Sequence, residues 1–521
     1  MALRIPWGRA SSSVAECDMF VPIVRWFASR DQVYRRLDTA RMRAAFDVSS
    51  PSSSRTDILS GLSDETRFSH AVLHHEQDHL RRQLSTTYGF LQRHIVGNIL
   101  SLFAPILEPL QAFSKPFAFP VVTDFLRERT APVGKAAWKK VYGSCSEQEK
   151  SIWTAFAYLM ILNYLEHERP RGNLAKRLTS ALELPSYLVD SESHCPWPIS
   201  TESLPHALGN RCGISARDLF EHMAILETTS WCSIMLGGID IAIEKFTSET
   251  ENEYSALFTA WRSSHPNTDC LTTQVRENDN ITECYAAFPV EHYALVDLAL
   301  MVPFTPTGWD SRRNWNWDDI SPGRRYLRGV EALRRYRKYT AIDSQNRETA
   351  FKEAQDWLCR EFDWPEPTDL IQSWRIAFDT GVPTTFQALD GDPTPNMVKK
   401  YLEMKSADEF SFAINNIDWG LVKHDRFVAW LTHEPAGLTA CPLSNEESGH
   451  YAFNLLLIFR AANAVLFVGK PELAAFAPRH REHAFHLLDS ALLGSPNSDT
   501  TYIAELSSVF GRNPTRPEQF P

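Results

Sequence analysis

The sequence has few cysteines, and no two of them stand at metal-binding spacing. Nine cysteines are scattered over 521 residues, and none forms a CxxC pair. This pattern argues against a disulfide framework and against a zinc site built from thiolates. We therefore expect a reducing compartment, the cytoplasm.

Long apolar runs are also missing. The first twenty residues lack the continuous apolar segment of a secretory signal. The best membrane candidate, residues 451–468, contains Asn454, Arg460 and Asn463, so a buried helix is the better interpretation. We expect a cytoplasmic protein that does not associate with membranes.

Excess positive charge is the third absence. The chain has 53 Lys and Arg against 64 Asp and Glu, a net charge of −11, which makes nucleic acid an unsuitable partner. No GxGxxG, P-loop or GxSxG motif occurs, so nothing supports nucleotide use or a serine hydrolase. Oligomeric state cannot be inferred from the sequence.

Strand-like alternation is scarce, whereas helical patterns are frequent. One strand candidate, residues 116–125, contrasts with six predicted helices: residues 63–83, 146–168, 216–236, 290–301, 325–337 and 450–468. The sequence predicts a mainly α protein with at most a small sheet. Polar connectors suggest an N-terminal segment (1–55), a central domain (56–340) and a C-terminal helical region (341–521).

The most informative segment contains the HExxH motif His75-Glu76-Gln77-Asp78-His79. On a helix, His75 and His79 lie one turn apart and can bind one Zn²⁺. Zinc lowers the pKa of a bound water towards 7, and Glu76 can accept the proton of that water. The motif thus supplies two ligands and a general base. A register using His74 and Asp78 is the alternative.

A catalytic zinc site needs a third protein ligand. The metzincin extension is absent, because Arg82 and Ser85 occupy its glycine and final histidine positions. Glu227, on an apolar helix face, is the best candidate, since a buried carboxylate needs a cation, a proton or a metal. Glu166 is the second choice, and Glu221, at the start of the same helix, is expected to be exposed.

Three segments, HEQDHLRRQLSTTYG, ILETTSW and VDLALMVP, resemble an uncharacterised group of bacterial zincin-like proteins. The resemblance covers about a fifth of the chain. It implies a metallopeptidase-like fold of the gluzincin type, with His75, His79 and Glu227 as zinc ligands and Glu76 as the base.

Two further residues stand near these motifs. Tyr88 is the nearest hydroxyl that could stabilise an oxyanion in the transition state. Asp297 lies in an apolar helix, where it would either orient a ligand histidine or act as a structural core acid. The resulting hypothesis is a zinc metallopeptidase acting on a peptide or protein. The alternative is a helical interaction or scaffold protein whose metal site is inactive or structural.

Overall fold

The computed structural model describes about two fifths of the chain. The described stretches are 75–102, 135–167, 213–235, 251–265, 288–341, 344–383 and 394–414, apart from single positions, with four short strands nearer the ends. The predicted helix 450–468 and the predicted strand 116–125 lie outside these residues. Of the described residues, 76% are helical, which confirms a mainly α fold.

The helices are numbered here in chain order. The first, α1, comprises the helical residues 75–83, of which residue 77 is not described. The others are α2 (Thr87–Ser101), α3 (Lys135–Ser144), α4 (Glu147–His167), α5 (Ala216–Met235), α6 (Glu251–Ser264), α7 (Val290–Leu300), α8 (Trp317–Ile320), α9 (Pro322–Tyr336), α10 (Arg347–Phe362), α11 (Pro367–Thr380), α12 (Thr394–Ala407) and α13 (Glu409–Ala413).

The predicted helices agree closely with α4, α5 and α7, whose ends differ from expectation by one residue at most. Helix α9 begins three residues earlier than predicted, at Pro322, because proline is well suited to the first turn of a helix. The sequence did not predict the helices α2, α3, α6, α8 and α10 to α13 individually.

Reciprocal side-chain caps begin α4 and α5. The hydroxyl of Ser215 accepts from the backbone N–H of Asp218 at 3.3 Å, and Asp218 accepts from the backbone N–H of Ser215 at 2.7 Å. Ser146 and Glu149 form the same pair at the start of α4. Each pair satisfies backbone donors that a helix start leaves without partners. These caps fix the start of α5, one turn before Glu221.

Helix α7 lies in the centre of the core, and every one of its residues is buried. It packs against α9 and α10, and less extensively against α2 and α13. A helix surrounded on all sides reads as apolar around its whole circumference, which explains the run ALVDLAL. The described part of residues 341–521 therefore packs directly on helices from residues 56–340.

Two small antiparallel sheets complete the described structure. One has the strand order β1-β2-β6-β5, from Ala15–Cys17, Val24–Trp26, Leu438–Cys441 and Val428–Leu431. Its register pairs Val24 with Ala440. The other joins β3 (Phe304–Thr305) to β4 (Gly308–Trp309) after α7. No helix among the described residues has an apolar stretch long enough to cross a membrane.

Candidate metal centre

Helix α1 presents two histidines at one point, as the HExxH spacing predicts. The Nε2 atoms of His75 and His79 lie 3.1 Å apart, and the two rings meet edge to face. Only 4% of His75 and 8% of His79 are exposed. Two imidazole nitrogens thus converge at a buried position.

Glu221 of α5 supplies a third ligand atom. Its Oε2 lies 3.3 Å from Nε2 of His75 and 3.4 Å from Nε2 of His79. Zinc–ligand bonds of 2.0–2.1 Å in a tetrahedron imply about 3.3 Å between neighbouring ligand atoms. The three observed separations therefore match one face of a zinc tetrahedron, and the donor set fits the metal.

The expectation that Glu221 is exposed was wrong, since only 15% of its side chain is accessible. A position in the first turn suggests exposure only when solvent covers that side of the helix. Here α5 packs against α4, α6 and α9, and Phe220, His222 and Met223 are buried on either side of Glu221. In the sequence, Glu221 stands between the apolar residues Phe220 and Met223, and this pattern is the signal that could have identified it as a partly buried acid.

Polar and charged neighbours keep Glu221 ionised. Burial alone would raise its pKa, but the interactions with His79 and His75 and the Arg217 guanidinium together hold the pKa well below its usual range. Arg217 donates from Nη2 to Oε1 of Glu221 at 3.2 Å. The carboxylate therefore has one oxygen towards the histidines and the other towards Arg217.

Two other predicted site residues belong to the same helices. Glu76 follows His75 on α1 and is half-buried. Glu227 lies on α5 six residues after Glu221, but its side chain falls outside the described residues. Its assignment as the third zinc ligand stays a prediction, whereas the cluster formed by described side chains contains Glu221.

Imidazole nitrogens and a carboxylate oxygen are ligands for several divalent metals. Catalytic zinc and non-haem iron(II) both use two histidines and one carboxylate. No protein family, curated protein or solved structure matches the chain.

Asp78, Arg81 and Arg82 of α1 form a buried clamp, a hydrogen-bonded group that joins this helix to Phe412 and Ala413. Asp78 accepts from Nε of Arg81 at 3.1 Å and from Nε of Arg82 at 2.8 Å. Arg81 also donates to the carbonyl of Phe412 at 2.6 Å, and Arg82 to that of Ala413 at 2.9 Å. Because Asp78 binds two arginines, it is engaged in this clamp and not in the metal cluster. The alternative register also needs His74, which lies outside the described residues.

Tyr88 and Glu166 form a separate buried pair. The Tyr88 hydroxyl donates to Oε1 of Glu166, which also accepts from Gln92. Burial raises the pKa of Glu166 to about 7 and that of Tyr88 well above its usual value. Glu166 is not in the metal cluster found among the described residues. Tyr88 as an oxyanion donor stays a prediction, and its hydroxyl would first have to leave Glu166.

The remaining polar groups of α7 belong to the core. Asp297 accepts from Nζ of Lys405 at 2.7 Å and from Gln355 at 3.4 Å. Of the two roles expected for Asp297, these contacts agree with that of a structural core acid. The Nε2 atoms of His292 and His222 of α5 lie 2.9 Å apart, and both residues are fully buried. Burial lowers the pKa of His222 to about 3.

Proposed function

We propose that His75, His79 and Glu221 bind one zinc ion and that the protein is a zinc-dependent hydrolase acting on peptide bonds. The observation that carries this proposal is the near-equilateral triangle of the three ligand atoms, with sides of 3.1, 3.3 and 3.4 Å. The resemblance of HEQDHLRRQLSTTYG to zincin-like proteins agrees with it. A peptide or protein substrate and a cytoplasmic location belong to the same proposal.

In this mechanism a bound zinc ion would polarise the substrate carbonyl and acidify a water. Glu76, next to His75 on α1, accepts the proton of the attacking water and then delivers it to the leaving amine. Glu221 supplies negative charge to the site, and Arg217 helps to keep that carboxylate ionised. Three protein ligands leave one position of a tetrahedron for water or substrate.

The second candidate function is a helical interaction or scaffold protein with a structural metal site. The burial of both imidazoles favours it, because a catalytic centre must admit a substrate. Glu76 separates the two functions: catalysis requires its carboxylate, whereas a structural site does not.

Metal content and two pairs of variants test the proposal. We expect about one zinc per purified chain, lost in His75→Ala. Glu76→Gln should retain the metal and abolish peptide hydrolysis, measured on a pool of unlabelled peptides by mass spectrometry. Metal retention without any hydrolysis by the wild-type protein would favour the structural site. Absence of zinc from the wild-type protein would refute the zinc-dependent hydrolase, and absence of any bound metal would refute both functions.

Glu221→Gln and Glu227→Gln form the second pair, since they make the same change on the same helix. We expect weaker metal binding in Glu221→Gln and unchanged binding in Glu227→Gln, measured by competition with a chromophoric chelator. The reverse result would assign the third ligand to Glu227, as the sequence predicts.

A further inference from the structure

Arg217 and Glu221 are one helical turn apart on α5, and the two oxygens of the Glu221 carboxylate contact different groups. Oε2 faces the two imidazoles, at 3.3 and 3.4 Å. Oε1 accepts a hydrogen bond from Arg217 at 3.2 Å. Each oxygen of Glu221 thus has its own partner.

This division matters because a carboxylate can offer a metal one oxygen or both. A second oxygen would occupy the position that a tetrahedral catalytic zinc keeps for water or substrate. A guanidinium bonded to Oε1 competes for that oxygen, and partners of this kind orient metal ligands. The i,i+4 spacing on α5 makes the contact local, and the caps formed by Ser215 and Asp218 hold this first turn in place.

The surroundings of Arg217 explain why a cation is stable there. Its side chain is 22% exposed, and its positive charge interacts favourably with the acidic side chains of Glu166, Asp218 and Glu221. Asp218 is hydrogen-bonded to Ser215, and Glu166 to Tyr88 and Gln92. Of these three acids, Glu221 is the one whose second oxygen faces the imidazoles of His75 and His79.

We propose that Arg217 is a positioning residue that restricts Glu221 to one coordinating oxygen and so keeps the fourth metal position open. This inference rests on the proposed metal site. It concerns the coordination number of the metal and its affinity, and not the identity of the substrate.

Cobalt(II) substitution measures coordination number directly, because four-coordinate Co²⁺ absorbs visible light far more strongly than five- or six-coordinate Co²⁺. We expect strong absorption in the wild-type protein. In Arg217→Gln the bands should weaken as Oε1 joins the metal, and Zn²⁺ affinity should differ from that of the wild type by about 10-fold or more. Arg217→Lys retains a cation and should restore part of both properties.

Arg324→Gln is the matched control. Arg324 is also mostly buried, at 13% exposure, and pairs with Asp318 at 2.9 Å. Its spectrum and affinity should equal those of the wild type. Thermal unfolding without metal checks that each variant folds. If Arg217→Gln does not fold, Arg217→Lys tests the proposal, because its cobalt spectrum should lie between that of the wild type and that of a protein with a higher coordination number.

The possible failures are distinct. If the wild-type protein binds neither Co²⁺ nor Zn²⁺, the proposed function itself is wrong. If the wild type binds both metals and the folded Arg217 variants give the same spectrum and affinity, the metal site stands and the role of Arg217 is refuted.

Discussion

Gly89 of α2 lies against the end of α1, and this contact predicts a large effect of one methyl group. A Cβ at Gly89 would lie 1.9 Å from the carbonyl oxygen of Gln83 and 2.7 Å from its carbonyl carbon. Both atoms are backbone, so no side chain can rotate away. Either α1 or α2 would have to move by more than about 1 Å.

The magnitude follows from two opposing contributions. Overpacking of a core costs about 1–3 kcal/mol, and a backbone obstacle puts Gly89→Ala at the upper end of that range. Replacing a helical glycine by alanine returns about 0.5–1 kcal/mol. We expect Gly89→Ala to lower the free energy of unfolding by about 2 kcal/mol.

Gly97 of the same helix is the internal control. A Cβ at Gly97 would meet nothing within 4 Å, so Gly97→Ala should raise the free energy of unfolding by about 0.5–1 kcal/mol. Urea unfolding in the presence of a chelator, followed by far-ultraviolet circular dichroism, measures both variants. Because Gln83 lies one turn after His79, Gly89→Ala should also weaken the proposed binding of zinc. Equal stabilities of the two variants would refute the predicted contact between α2 and α1.

Two further predictions concern buried charge. Asp78→Asn leaves two buried arginines without their carboxylate and should lower the free energy of unfolding of the metal-free protein by about 3–5 kcal/mol. In the control Asp310→Asn, the partner Arg312 is 50% exposed, so the loss should be less than about 1 kcal/mol. Similar losses of stability in both variants would contradict the clamp. In the folded protein, burial lowers the pKa of His222 to about 3 and that of His292 well below its usual value, whereas both titrate near 6.5 when unfolded. Their contribution to the free energy of unfolding should therefore be complete above pH 6.5. It should decline as the pH falls, by up to about 1.4 kcal/mol per pH unit for each histidine. His292→Phe should roughly halve that slope in metal-free protein, and an unchanged slope would rule out this pair as its source.

Local periodicity accounts for what the sequence predicted correctly. The i,i+4 spacing of His75 and His79 is a property of any helix, and the long apolar segments of α4, α5 and α7 have clear ends. The third member of the cluster is 142 residues from His79, and such a distance is set by tertiary packing alone. Among the acids of α5, an apolar helix face favoured Glu227 as the third ligand. Glu221 was expected to be exposed because it lies near the start of the helix, and local periodicity does not reveal the helices that pack over that turn.

Tertiary packing also decides the role of Asp78, which the sequence offers as an alternative metal ligand. Its spacing from His74 suits a metal ligand, yet its partners are the two arginines that follow it on α1. Those arginines reach carbonyl groups at Phe412 and Ala413, and nothing in the sequence near Asp78 indicates that contact. A buried acid surrounded by basic residues is better interpreted first as their counter-ion.

The bonds from Arg81 and Arg82 to α13 also have a consequence for the order of folding. Each joins residues 331 positions apart, and contacts of such separation carry a high loop-closure cost and form late. During synthesis α1 emerges long before α13 exists, so two guanidinium groups lack their final acceptors until about residue 414 has left the ribosome. At the proposed metal site we therefore expect a nascent chain ending before α13 to bind zinc weakly, and metal capture to follow the synthesis of α13.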